Sequence, residues 1–241
     1  MASRIGWRAA AGAASVLALA ALVIWPMPLL ARVALAVIAG GSAWILGAVT
    51  LNGRKVQERE TILRLLTHYR HDWMNELQVL FGYTRLKKYD ILPEYMDKIR
   101  MSALQDSLIC KLGNPALAVY LMERRVSGGN CRVEVELEKE MNLQKLAMSE
   151  RDVFRLVEGV SERLIRHSSP AQGEPALLSL GFDEEESEVL VDFVFRGEAD
   201  WERLRAAVSD FLQKYKDKLS IREEEYREDQ AVIALALPFP T

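Results

Sequence analysis

The chain has 241 residues and a net charge of −3, and 50% of its residues are hydrophobic. This length allows one or two modest domains, and the nearly balanced charge gives no support to a nucleic-acid partner. The two cysteines, Cys110 and Cys131, lie far apart in the sequence with no second cysteine beside either. We therefore expect free thiols in a reducing compartment rather than a disulfide or a zinc site.

Two apolar segments without charged residues lie near the start of the chain, at 9–25 and 33–51. Each is close to the roughly 20 residues that a helix needs to cross a bilayer. Basic residues precede the first segment and follow the second, so the positive-inside rule predicts a two-pass hairpin in the cell membrane with both chain ends in the cytoplasm. The alternative is a cleaved signal peptide, which would leave 33–51 as a single anchor.

A helical hairpin is predicted next. Residues 55–89 show a helical pattern without proline, and Asp90–Pro93 form a short break. Because proline suits a first helical turn, a second helix is expected from Pro93 to about Leu112, ended by Gly113. Two antiparallel helices cannot fully bury their own apolar stripe, so two chains are expected to complete a four-helix bundle as a homodimer.

The remainder of the chain predicts a mixed α+β domain. Helices are expected at 115–126, 153–167 and 200–219, and strands at 131–138, 176–182, 189–195 and 231–237. Ser149 and Asp152 form a capping box before the second of these helices. The acidic run 183–188 is interpreted as a solvated loop. The sequence thus predicts three regions: a membrane hairpin (1–53), a helical hairpin (54–113) and an α+β domain (114–241).

His71 lies on a polar side of the first hairpin helix. At 100° per residue, the apolar stripe around Leu66, Trp73 and Leu77 is centred more than a right angle away from it. The polar residues that fall within about 60° of His71 are Arg64, Thr67, His68, Asn75, Gln78 and Arg85. His71 is therefore not expected to be a core residue.

Three interpretations of this histidine are open. A polar stripe is ordinarily a solvated face. His68 and His71, three residues apart, can share a metal, but the second hairpin helix holds no histidine to complete a site. The third interpretation is temporary phosphorylation, because neighbouring guanidinium groups would neutralise the added charge.

The run from Arg70 through Gln78, "RHDWMNELQ", resembles the sporulation initiation phosphotransferase B family, whose helical hairpin is shared with citrate- and fumarate-type sensor histidine kinases. The resemblance covers 55–112 well. For 115–241 it is one of architecture only, with an α/β sandwich like a degenerate histidine-kinase ATP-binding domain. It implies that His71 accepts a phosphoryl group from one response-regulator receiver domain and passes it to another, and that the hairpin dimerises.

Helical spacing suggests roles for the residues around His71. We expect Asn75, one turn further on, or else a water molecule, to orient the ring, and Arg64 or Arg85 to contact the phosphoryl oxygens. Residues expected to contact the partner are Arg70, Asp72, Gln78 and His68. No intrinsic cofactor or metal is expected, and Mg²⁺ would come from the receiver domain.

The sequence favours a relay over a kinase. An ATP-binding domain of this class needs a helix with asparagine to hold Mg²⁺ and glycine-rich turns for the phosphates. Residues 143–241 contain no asparagine; the corresponding helix has Glu158 and Glu162, and no glycine follows Gly197. An active sensor kinase and an inert, membrane-tethered dimeric docking scaffold are the alternatives.

Overall fold

The computed structural model describes residues 29–127, 129–169 and 175–240, and solvent exposure is defined within these from Arg59 onward and at Val37 and Gly41. Two compact units divide the chain between Leu66 and Thr67. The predicted membrane segment 9–25 lies outside the described residues. Within the described part, no helix is both long and apolar enough to cross a bilayer. The membrane hairpin, whose second segment has almost no described side chains, stays a prediction.

The first helix, α1, spans Leu29–Arg85 and ends earlier than the predicted residue 89. Lys87 adopts a left-handed backbone conformation with φ 56°, and the Lys88 amide donates to the Tyr83 carbonyl at 3.0 Å. A hydrogen bond from an amide to the carbonyl five residues earlier, next to a left-handed residue, is typical of the Schellman motif that ends many helices. The helix therefore ends at Arg85 because of this local turn, whereas the apolar periodicity by itself predicted that it would continue to residue 89.

The second helix, α2, spans Leu92–Cys110 with proline in its first turn, as predicted. Leu108 and Ile109 near its end are buried in the core of the C-terminal domain. Gly113 follows with φ +73°, and a Cβ there would lie 2.0 Å from the Asn142 side-chain oxygen. Both the backbone conformation and the close contact therefore require glycine at this turn.

Two further helices begin at a capping side chain, and the cap at Ser149 confirms the start predicted for the second of them. Helix α3 spans Pro115–Val126, and the Asn114 side chain accepts from the Leu117 amide at 3.1 Å. Helix α4 spans Glu150–His167, and the Ser149 hydroxyl accepts from the Asp152 amide at 3.2 Å. Capping by short polar side chains satisfies amide groups that have no partner inside the helix.

A five-stranded mixed sheet forms the rest of the domain. Its strands are β1 (Cys131–Leu137), β3 (Ala176–Glu184), β4 (Glu188–Arg196), β6 (Ser220–Tyr226) and β7 (Gln230–Pro238), in the order β1-β3-β4-β7-β6. Strand β1 runs parallel to β3, and the other pairs are antiparallel. Strands β2 (Ser168–Ser169) and β5 (Glu198–Ala199) pair separately. The mixed α+β class of the C-terminal domain is confirmed.

Two predictions about this domain were wrong in detail. Helix α5 spans Trp201–Leu212, followed by a short 3-10 turn, and strand β6 occupies a segment that was not predicted as a strand. The acidic run 183–188 is not all loop, because Asp183 and Glu184 end β3 and Glu188 begins β4. Glu188 is buried and paired with Arg222, which sits at the register shift in β6.

Candidate functional site

His71 projects into solvent from α1, and its side chain is 72% exposed. Its Nδ1 atom lies 3.1 Å from the Asn75 amide nitrogen and 3.7 Å from a carboxylate oxygen of Asp72. The expectation that His71 lies outside the core is therefore met. The predicted proximity of Asn75, one helical turn further on, is also present.

Both polar neighbours lie at the Nδ1 end of the ring. The sequence interpretation turned Asp72 away from His71, by about 100° around the helix. The Asp72 side chain is instead rotated toward His71, and its carboxylate approaches the ring because the two residues are adjacent in the helix. The Nε2 atom, at the other end of the imidazole, is thus the nitrogen with an open approach.

The other predicted site residues are spread along the helix. His68, Arg70 and Gln78 are exposed on α1 near His71. Arg85 is the last residue of this helix, fourteen residues from His71, which is about 21 Å along the axis. The expected contact of Arg85 with phosphoryl oxygens stays a prediction.

Arg64 belongs to the other compact unit. Its guanidinium group donates to the Thr61 hydroxyl at 3.3 Å, a contact within the same helical turn. Its expected contact with phosphoryl oxygens stays a prediction.

A groove of 160 Å³ lies between α1 and α2, and Tyr69, Asp72, Trp73, Glu76 and Asp106 are among its lining residues. Tyr69 is nearly opposite His71 on α1, at about 160° around the helix. Burial, followed by the negative charge of Asp106, raises the pKa of Tyr69 to about 12, and a hydrogen bond to Asp106 contributes.

Asp106 also forms an ion pair with Arg125 of α3, in which the two side chains are only 23% and 22% exposed. Sequence reasoning missed both of these residues. No local pattern links them, because they are nineteen positions apart on two different helices.

The apolar stripe of α1 is largely uncovered within one chain. Trp73, Met74, Leu77 and Phe81 all count among the exposed large hydrophobic residues. The packing expected along this stripe is therefore not made inside a single chain. Contacts to α2 lie on the neighbouring side of the helix, where the rings of Tyr83 and Tyr95 meet edge to face at 5.7 Å between centroids.

In the C-terminal domain, Glu162 of α4 accepts a hydrogen bond from the Tyr120 hydroxyl at 2.9 Å and pairs with Arg124 at 2.5 Å. Burial and the negative charge of Glu162 raise the pKa of Tyr120. Burial, and then the same carboxylate, raise the pKa of Glu158. The polar positions of this helix thus join α3 to α4.

The segment around His71 matches a known family model. Residues 52–112 match the family model described as Sensor kinase SpoOB-type, alpha-helical domain. These residues are therefore similar to the SpoOB-type alpha-helical domain, which confirms the resemblance drawn from Arg70–Gln78.

Among curated proteins, the chain is similar to Sporulation initiation phosphotransferase B of Bacillus subtilis (strain 168). The two are 32% identical over 107 residues, which cover 42% of this chain and 56% of the relative. The match thus spans little more than half the length of that curated relative.

Solved structures give weaker likenesses. The nucleotide-free catalytic domain of histidine kinase ThkA is 13% identical, with a TM-score of 0.40, covering 56% of this chain and 92% of that chain. ThkA in complex with response regulator protein TrrA is 16% identical, with a TM-score of 0.36, covering 78% and 65% respectively. Scores at this level do not establish a shared fold.

Proposed function

We propose that this protein is a phosphotransferase of a two-component phosphorelay, acting in sporulation initiation. His71 accepts a phosphoryl group from the aspartyl-phosphate of one response regulator and passes it to the aspartate of another. The observation that carries the proposal is an exposed imidazole, with Nδ1 flanked by Asn75 and Asp72, in a SpoOB-type domain. The name of the curated relative supports the same reaction class.

The phosphoryl transfer needs no nucleotide, because every bond that forms replaces a bond that breaks. Nε2 of His71 attacks the phosphorus atom, the bond between phosphorus and the acyl oxygen breaks, and the aspartate leaves as a carboxylate. The reverse attack by a second regulator's aspartate regenerates the imidazole. Both phosphorylated forms are reactive, so the protein mainly has to hold the reacting atoms in line and screen charge. The receiver domain supplies Mg²⁺ for that screening.

Asn75 sets which nitrogen is the nucleophile. If its amide nitrogen donates to Nδ1, the ring proton lies on Nε2, which then has no free lone pair. A half-turn of the amide presents its oxygen to the Nδ1 proton instead, and Nε2 becomes the free nucleophile. The Asp72 carboxylate at 3.7 Å favours the same tautomer, because it attracts the proton to Nδ1.

A relay is favoured over a kinase by the residues of α4. A nucleotide-binding helix would offer asparagine to Mg²⁺, whereas Glu162 is engaged with Tyr120 and Arg124 and residues 143–241 have no asparagine. Carboxylates near the phosphates of ATP would repel them. We therefore assign the domain no part in ATP binding.

We also propose that the protein is a homodimer and that 9–25 and 33–51 anchor it in the cell membrane, with both chain ends cytoplasmic. The exposed stripe of Trp73, Met74, Leu77 and Phe81 supports dimerisation, because contiguous apolar surface of this kind ordinarily packs against a partner. The composition of the two segments supports the anchor.

The test is direct labelling. Full-length protein is incubated with a phosphorylated receiver domain, and acid-labile label is expected on His71, absent from His71→Gln and retained in the matched variant His167→Gln. Label that arises from ATP alone, and is lost in His71→Gln, would make the protein a kinase. Receiver binding without any label would leave only the docking scaffold.

A further inference from the structure

We infer that Asp106 is a positioning residue for His71, a role that rests on the proposed function. Asp106 lies on α2, shares a groove with Tyr69 of α1 and is paired with Arg125 of α3. It thereby connects the helix that carries His71 to the C-terminal domain. No role had been expected for any of these three residues from the sequence.

The geometry explains how a residue that does not touch His71 affects it. Tyr69 is two positions before His71, so the two side chains leave α1 in nearly opposite directions. Holding the Tyr69 side of the helix in the groove fixes the rotation of α1 about its axis. His71 is then presented outward in one orientation, which an in-line transfer requires.

The other end of the connection is well anchored. Asp106 and Arg125 are mostly shielded from solvent, so their attraction is screened less than that of a surface pair. The adjacent residue, Gln105, donates to the Leu137 carbonyl and accepts from the Leu137 amide, both at 3.0 Å. Neighbouring Leu108 and Ile109 are buried. This end of α2 is therefore fixed to the domain, and Asp106 transmits that fixed position to α1.

The variants remove one arm of the bridge at a time. Tyr69→Phe deletes only the hydroxyl, and Arg125→Gln deletes only the charge on α3. Replacing Asp106 itself would remove both arms at once, so the two contributions could not be separated. Tyr83→Phe on α1 and Asp97→Asn, whose carboxylate pairs with Arg100 in the same helix, are the matched controls.

Two donors separate positioning from simple destabilisation. With a phosphorylated receiver at saturating concentration, we expect Tyr69→Phe and Arg125→Gln to lower the transfer rate roughly 10- to 100-fold, because misorientation affects the attack and not the docking. The receiver concentration giving half the maximal rate should change little. With phosphoramidate, a small donor that needs no docking, labelling of His71 should be unchanged. The inference is overturned if the variants lose His71 labelling equally with both donors, or if they lose it with neither donor.

Amide hydrogen exchange over residues 68–80 tests the inference in the absence of a receiver domain. Faster exchange in Tyr69→Phe and Arg125→Gln than in both controls supports the positioning role of Asp106. Equal exchange in all four variants overturns that role, even if the unsubstituted protein accepts phosphate from the receiver. Absence of transfer in the unsubstituted protein overturns the proposed function alone.

Discussion

Asn75→Ala is the substitution that most directly tests the chemistry of the site. It removes the amide that lies 3.1 Å from His71 Nδ1 and leaves the imidazole itself in place. Both side chains are exposed on the middle of a long helix, so no core contact is lost. The consequences for stability and for transfer are therefore expected to differ in sign.

The stability effect follows from helix propensity. Alanine is more favourable than asparagine inside a helix by up to about 0.7 kcal/mol. Loss of one exposed hydrogen bond offsets part of this gain. We expect the free energy of unfolding to stay the same or to rise slightly.

The effect on transfer follows from the tautomer. A hydrogen bond that fixes the ring contributes about 0.5–1.5 kcal/mol. At about 1.36 kcal/mol for each factor of ten, its loss lowers the rate by about 2- to 13-fold. The nitrogen-15 NMR signals of His71 should show a larger share of the tautomer protonated at Nε2. Both measurements are made beside Lys98→Ala, an exposed position on α2 that lies outside the site.

Two results would refute this reasoning. An unchanged rate with an unchanged tautomer ratio would mean that Asn75 does not orient the ring. A rate loss well above the expected range, with the tautomer ratio unchanged, would mean that the amide contacts the phosphoryl group or the receiver instead.

Three further predictions follow from the same structure. His71→Ala should change the free energy of unfolding by no more than about 0.5 kcal/mol in urea titrations, since the side chain is 72% exposed; a loss several times larger would place it in a packed interface. Leu77→Glu should give a monomer in sedimentation experiments, whereas Leu86→Glu, an exposed leucine away from the stripe, should stay dimeric; two dimers would exclude this stripe as the interface. Because burial and Glu162 raise the pKa of Glu158, the native state holds that proton more tightly, so stability should fall as pH rises through and above the ordinary glutamate range. Glu158→Gln should flatten that fall in urea titrations at pH 4 and pH 7, and an unchanged slope would contradict it.

The sequence by itself determined the features that depend on neighbouring residues. Ser149 before Glu150 marks a helix start, because capping is a contact over three residues. The outward placement of His71 followed from helical periodicity alone. The run Arg70–Gln78 was specific enough to indicate a resemblance, and the family model that matches 52–112 supports it.

Only the tertiary structure decided the features that depend on distant residues. Strand β6 carries few apolar residues, and its pairing with β7 makes it a strand. The pairing of Glu188 with Arg222 and of Asp106 with Arg125 joins positions that no local pattern relates. The approach of Asp72 to His71 depends on side-chain rotation, which helical angles do not specify. Local periodicity assigns a residue to a surface, and only the packing of distant segments decides what that surface meets.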